Sequence, residues 1–562
     1  MALGSFCLVL HGHLPWVLHH GWWPHGEVWL YEAAAESWLP LLAVAQEGAA
    51  AGFRVPVTMG LMPVLLEQFA HPSFDVGFRR WMGEQRARAR ADEKEFAGRG
   101  ETHLAWLAER WDQHFAALER QFDGIGGDIG GAFAALHRQG ALELLTSNAT
   151  HGYMRLLQHD ACLRAQVRAG VASSRRAFGF QPAGAWLPEC AYRPGGPWTP
   201  PVLGREARPR AGIEEIFAHE GVRHFFVDGR LFAGSRSEGL ANAGSFTKVD
   251  WAQATWDTGR AWRSVLEAHG VSSDGGPARL TALARHPEVS EQVWSGEVGY
   301  PGDARYLEFH KRHGNDGLRY WRVTGPKVDL ADKQPYVPDD VQASVFSHAQ
   351  HFVATVRSIL ARHHATTGRH GVVVAPFDAE LFGHWWHEGP RFIREVMLAL
   401  HQSGDVRACT AAEHLAAHPA DKVVSLPEGS WGAGGDHRVW LNDELRWLWE
   451  AEYRAEDRFL GCLDRLAWRE RADVEAALKA AARELLLLQA SDWWFVIHTR
   501  GAVDYGYRRF CEHLARFDRA CTIAESRAAG RADTPIMRIE LADMEAHDSC
   551  FPELRLQWWV DG

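Results

Sequence analysis

Short apolar runs alternate with longer mixed stretches along most of the chain. Residues 5–10 (Ser-Phe-Cys-Leu-Val-Leu) read as a buried strand that ends on His11-Gly12-His13-Leu14-Pro15-Trp16. A stretch rich in Ala, Glu and Leu over 31–50 predicts a helix, and 54–59 predicts a second strand. Charged, alanine-rich sequence over 67–121 and 128–139 predicts helix again, and 141–146 a strand followed by Ser147, Asn148 and His151. A helix over 156–178 leads to the apolar run 185–189. Further strands are expected at 224–227, ending on Asp228, at 372–378 and at 405–410, with helices over 213–219, 339–364 and 390–402. Strands alternating with helices predict a parallel sheet. No glycine-rich phosphate loop follows the first strand, which favours a closed or nearly closed barrel over a doubly wound sheet.

Two segments break the alternation. Residues 193–210 are rich in proline and glycine and read as part of an insertion around 193–223. Residues 229–284 read as a long loop, with no clear periodicity over 234–277, and carry Trp251, Trp256 and Trp262. After residue 424 the pattern changes. A turn-rich piece at 430–435 precedes amphipathic helices expected over 445–468, 472–489 and 505–525. The expected organisation is a barrel over 1–424 and an all-α C-terminal domain over 425–562.

Composition narrows the function. The 562-residue chain carries a net charge of −11, which argues against general binding to nucleic acid or anionic membrane. It contains no apolar run of spanning length and no leader-like start, so a cytoplasmic location is expected. The eight cysteines include no C-x-x-C pair and do not suggest a disulfide framework. Tryptophan is abundant, at 26 residues. Most belong in an aromatic core, but an indole also offers a flat apolar face to a sugar ring and an N–H donor.

Several predicted strands end in polar residues: His11, Asn148, Glu189, Asp228 and Asp378. In parallel barrels the site sits at the carboxyl ends of the strands, where distant residues converge. Glu189 and Asp378, flanked by Trp186, Tyr192, Trp385 and Trp386, are the candidate acid pair for glycoside chemistry. One carboxylate would attack the anomeric carbon while the other protonates the leaving oxygen. His11 and His13 leave three readings open: a metal site, as in a metal-dependent deacetylase; packing; or hydrogen bonds to sugar hydroxyls. Asp492, beside Trp493, Trp494 and Phe495, is placed to reach over the barrel mouth. A non-catalytic glycan-binding protein would use the same aromatic platforms without the acid pair.

These stretches together resemble glycoside hydrolase family 57, and within it the 1,4-α-glucan branching members. His11-Gly12-His13-Leu14-Pro15 resembles the family's first motif and Gly60-Leu61-Met62-Pro63 its second. Trp186-Leu187-Pro188-Glu189-Cys190-Ala191-Tyr192 resembles the third, and Phe377-Asp378-Ala379-Glu380-Leu381-Phe382-Gly383-His384-Trp385-Trp386 the fourth. Ser491-Asp492-Trp493 is similar to the fifth. The resemblance implies an incomplete (β/α)7 barrel followed by a helical domain, with no metal or organic cofactor. It implies Glu189 as nucleophile and Asp378 as general acid/base in a retaining transfer between α-glucan chains. It also implies substrate contacts at Arg285, Trp294, Gly302, Trp431 and Asp492, with Trp440 a second aromatic of the helical domain. His11 and His13 would hold hydroxyls, and Trp29, Trp294, Trp431 and Trp440 would stack on sugar rings. Branching members carry a tyrosine in a mobile loop that shields the intermediate, whereas residues 229–299 contain none. That feature favours the alternative reading within the family, an α-amylase-like hydrolase or a 4-α-glucanotransferase.

Overall fold

The computed structural model describes residues 2–232, 264–273, 278–295, 298–314, 316–325 and 327–561. The tryptophans at 251, 256 and 262, and most of the expected long loop, lie outside the described residues.

Strands β1 (Gly4–Gly12), β2 (Val57–Leu61), β3 (Glu143–Thr146) and β4 (Gly184–Ala185) follow one another in the sheet. After β5 (Gly196–Trp198) and β6 (Arg208–Arg210), which form a separate antiparallel pair, come β7 (His224–Asp228), β8 (His269–Val271) and β9 (Leu280–Arg285). The last strands are β10 (Gly371–Asp378), β11 (Val406–Ala408) and β12 (Val423–Val424). The order β10-β1-β2-β3-β4-β7-β9 is parallel throughout, and β9 meets β10 where Arg285 pairs with Val374. Seven strands therefore close into a barrel. β11 adds to β1, while β8 and β12 extend the sheet beyond β9.

The barrel strands are nearly all buried on both faces, so they read as continuous apolar runs instead of alternating ones. β1 is the central staple: it pairs with β2, β10 and β11, and eight register pairs bind it to β10. Helices Pro63–Phe69, Asp160–Phe178, Pro338–Thr367 and Gly389–Ser403 pack around the outside.

The sequence reading needs three adjustments. The helical stretch expected over 67–121 is three helices, Pro63–Phe69, Pro72–Gly98 and Thr102–Gly124. Pro72 starts the second at its first position, and Gly100, at φ 74°, separates the second from the third. β8 and β9 stand where a loop was expected, because three- and six-residue runs give too little periodicity to detect. The expected strand over 185–189 is a two-residue strand followed by a strained turn.

Beyond residue 424 the chain is helical: Arg446–Arg465, Ala472–Leu488, Asp492–His498, Val503–Ala528 and Pro535–His547. A buried polar network ties these helices to the barrel. Arg509 donates to the Trp16 carbonyl (2.8 Å), and the His20 ring lies 2.7 Å from Asp548. All eight cysteines are free, and no described helix is long and apolar enough to cross a membrane.

Candidate active site

The carboxyl ends of the barrel strands open on a cavity of about 730 Å3. Glu189 and Asp378 both line it, together with Trp29, Trp294, Trp385 and Trp431.

Glu189 lies four residues past β4 with φ 60° and ψ 19°, and Cys190 follows at φ 49°. A side chain in that left-handed region costs about 1–2 kcal/mol. Backbone bonds hold the turn: the Cys190 N–H donates to Leu187 (2.8 Å), Ala191 to Pro188 (3.0 Å) and Trp431 to Glu189 itself (3.0 Å). The Trp431 indole N–H then donates to Glu189 Oε2 at 2.7 Å. Asp378 is the last residue of β10, in register with His11 on β1. The chain beyond it doubles back at Gly383, at φ 119°, where a Cβ would lie 1.7 Å from the Glu36 carbonyl oxygen. This close approach seats His384 against Glu36, with Nδ1 2.5 Å from Oε2.

Three histidines form one wall. The His11 and His151 rings stack at 4.9 Å, and those of His13 and His151 at 4.0 Å. His11 Nε2 lies 3.0 Å from His151 Nε2, and His151 Nδ1 lies 2.8 Å from Ser491 Oγ. His13 Nε2 contacts the Asp492 carboxylate at 2.9 Å, and the His13 backbone N–H donates to Glu380 (2.9 Å). Asp492 therefore reaches from the helical region onto the barrel. Arg285, at the end of β9, pairs with Asp228 at 3.1 Å, and its guanidinium lies 5.7 Å from the Trp431 ring centre.

Burial sets the protonation pattern. The Glu189 side chain keeps 14% of its surface exposed. Burial raises its pKa to about 8, the Trp431 donor opposes the rise, and Asp378 and Asp492 add to it. Burial raises Asp378 to about 7 against the pull of Arg285. Near neutral pH the pair thus holds one proton between its two members. Burial also raises Glu380 well above the ordinary carboxylate range and drops His11 and His151 well below that of imidazole. Those two rings are neutral, each able to donate one hydrogen bond and accept another.

The cavity gathers ten of the eleven residues expected from sequence. Trp440 is one of the ten, but it is buried and stacks on Tyr153 at 4.5 Å. Gly302 is absent from the lining and sits exposed at the end of a short 3-10 turn. His13 lines the cavity, whereas the neighbouring Trp186 is fully buried beneath His11. The structure adds His151, Glu380 and Trp385 to the wall. His151 and Glu380 each follow a strand end, a signal present in the sequence, and Trp385 lies within the fourth motif. His13, His151 and Asp492 place ligand atoms within 4.8 Å of one another and are the set here that could hold a metal ion. Each of those groups already has a protein partner.

A strained acidic turn and a strand-end aspartate in one tryptophan-walled mouth define a glycoside-processing barrel. The chain belongs to glycosyl hydrolase family 57, whose profile matches residues 7–427. A second profile, the C-terminal region of 1,4-alpha-glucan branching enzymes, matches residues 452–559. The chain is 38% identical over 517 residues to a 1,4-alpha-glucan branching enzyme of Thermococcus kodakarensis, covering 92% of this chain and 73% of that one. The crystal structure of the family-57 branching enzyme of Pyrococcus horikoshii superposes with a TM-score of 0.88 at 35% identity, over 99% of this chain and 97% of that one. The alpha-amylase AmyC of Thermotoga maritima superposes at 0.81 with 27% identity, over the full length of both.

Proposed function

We infer that this chain is a 1,4-α-glucan branching enzyme working by retaining double displacement. The observation that carries the reading is the shared cavity of Glu189 and Asp378, with an indole donor fixed on Glu189. Ionised Glu189 attacks C1 of the glucosyl unit, and Asp378 gives its proton to the departing 4-oxygen. The chain is then held as a glycosyl ester on Glu189. Asp378, now ionised, takes the proton of an acceptor 6-hydroxyl, whose oxygen attacks C1 and releases Glu189. The result is an α-1,6 branch.

Burial raises both acids, Glu189 to about 8 and Asp378 to about 7, so in the free site the shared proton rests more on Glu189; the Trp431 donor favours its ionised form, and the proton passes to Asp378 as substrate binds. His11 and His13, held by His151 and by Asp492, form the wall that meets sugar hydroxyls. Trp29, Trp294, Trp385 and Trp431 provide apolar faces for α-glucan rings. A second reading, hydrolysis, is favoured by the absence of tyrosine from residues 229–299, since a less shielded ester passes to water.

Proton NMR of amylose incubated with the enzyme, alongside a reducing-end assay, separates the two. Branching gives new α-1,6 anomeric signal with few new reducing ends. Many reducing ends without that signal would replace this reading with hydrolysis.

A further inference from the structure

A second cavity, of about 470 Å3, shares no lining residue with the first. One side comes from the β5–β6 insertion, through Arg193, Pro194 and Trp198. The other comes from Arg155, Glu428 and His437. Glu428 and His437 bracket the segment that presents Trp431 to the first cavity, so the two pockets lie on either side of one loop.

The charge in this cavity is unbalanced. Arg155 is 4% exposed and pairs with Glu428 at 2.6 Å. Arg193 is 2% exposed, and among the described residues the one carboxylate within 4 Å of it is Asp160, at 3.9 Å. Asp160 is already taken by Arg210 at 2.5 Å. The remaining bonds of Arg193 go to neutral carbonyls, Pro194 at 3.2 Å and Ala211 at 3.0 Å. The Nε atoms of Arg155 and Arg193 are buried and bond to no protein group. Burial, and then Arg210, pull the Arg193 guanidinium down to about 10, so it stays charged at neutral pH. Trp198 packs beneath both Arg210 (4.9 Å) and Arg193 (5.8 Å) and fixes their planes.

Two buried guanidiniums facing a pocket with a single half-buried carboxylate form an anion site. A buried cation without a close partner is destabilising, and a bound anion offsets that cost. Planar guanidinium forks match phosphate oxygens, and a phosphate dianion suits two of them. The volume exceeds that of a bare phosphate and leaves room for a small organic group against Pro194 and Trp198. We propose that this pocket binds a phosphate group, as orthophosphate or as the phosphate of a phosphorylated sugar, in competition with Glu428 for Arg155. Its occupation would loosen the Arg155–Glu428 pair next to Gly429, which bridges to Tyr192 three residues after Glu189.

The test is calorimetric titration of the full chain with sodium phosphate, then with glucose 6-phosphate, against sodium chloride at equal ionic strength. Saturable binding of one phosphate per chain is expected. Glu428→Gln should bind it about tenfold more tightly, because Arg155 is released, and Arg155→Gln at least tenfold more weakly. The gain in Glu428→Gln cannot arise from misfolding, which keeps the test decisive if the arginine variant does not fold. Tighter binding of glucose 6-phosphate than of phosphate marks a phosphorylated sugar as the occupant; equal affinity marks phosphate itself. No saturable phosphate binding to the wild type, or no tightening in Glu428→Gln, overturns the proposal.

Discussion

The indole N–H of Trp431 donates to Glu189 Oε2 at 2.7 Å across 242 residues of sequence. The same residue's backbone N–H donates to the Glu189 carbonyl, so one residue holds both the strained turn and its carboxylate. The donor stabilises the ionised form of Glu189 and partly offsets the rise imposed by burial. Trp431→Phe is therefore expected to move the acid limb of the pH–rate profile upward. It should also lower kcat about 10- to 100-fold, the scale seen when a preorganised donor is removed. An unchanged acid limb in stopped assays across pH 5–9 would mean that the bond does not act on the nucleophile.

Glu189→Gly and Asp378→Gly should both lose more than about 1,000-fold in activity while keeping the wild-type circular dichroism spectrum. Azide separates their roles. With an activated α-glucosyl donor, azide attack in Glu189→Gly yields a β-glucosyl azide, because the first displacement is missing. In Asp378→Gly it yields the α-anomer, since azide intercepts the ester on Glu189. The reverse assignment of anomers would exchange the two roles.

The acid pair sets the pH dependence. In the proposed mechanism the active form carries one proton, held by Asp378 with Glu189 ionised. Activity falls at low pH as the pair gains a second proton, and at high pH as it loses the one it holds. Both groups are raised, to about 7 and about 8. The maximum of kcat/KM is therefore expected near neutrality, well above the range of ordinary carboxylates. A profile still at its maximum at pH 5 would contradict this.

The same shift bears on stability. A carboxyl group whose folded pKa is raised binds more protons folded than unfolded between about pH 4.5 and pH 8, so stability falls as pH rises through that window. Glu189→Gln removes the buried charge and should stabilise the protein at pH 8 by roughly 1–3 kcal/mol. The gain should shrink toward zero near pH 4.5. Thermal unfolding of both proteins at the two pH values measures it, and a gap that widens at low pH would have the wrong sign.

The wall formed by His11, His13 and His151 is read as a hydroxyl-binding surface. Dialysis against a strong chelator should leave branching activity unchanged, whereas a metal-dependent deacetylase would lose it. Asp492→Asn removes the carboxylate that fixes His13 and is expected to raise KM about tenfold, with a smaller effect on kcat.

The sequence by itself determined the architecture and marked Glu189 and Asp378 as the candidate acids. Buried parallel strands must be apolar along their whole length, so β1 and β10 stood out as runs. The polar residue closing each run marks the barrel mouth, and the register of β1 on β10 sets His11 beside Asp378. Short elements stayed hidden, because the two residues of β4 and the three of β8 carry too little pattern. Tertiary structure alone decided what depends on distance. It placed Glu189 on a left-handed turn instead of a strand end, aimed Trp431 at its carboxylate, and recruited His151 and Glu380 to the wall. It also turned Trp440 inward against Tyr153 and left Gly302 outside the cavity. Proton affinities, too, were settled only in three dimensions, since desolvation and neighbouring charges act through space and do not follow the order of the chain.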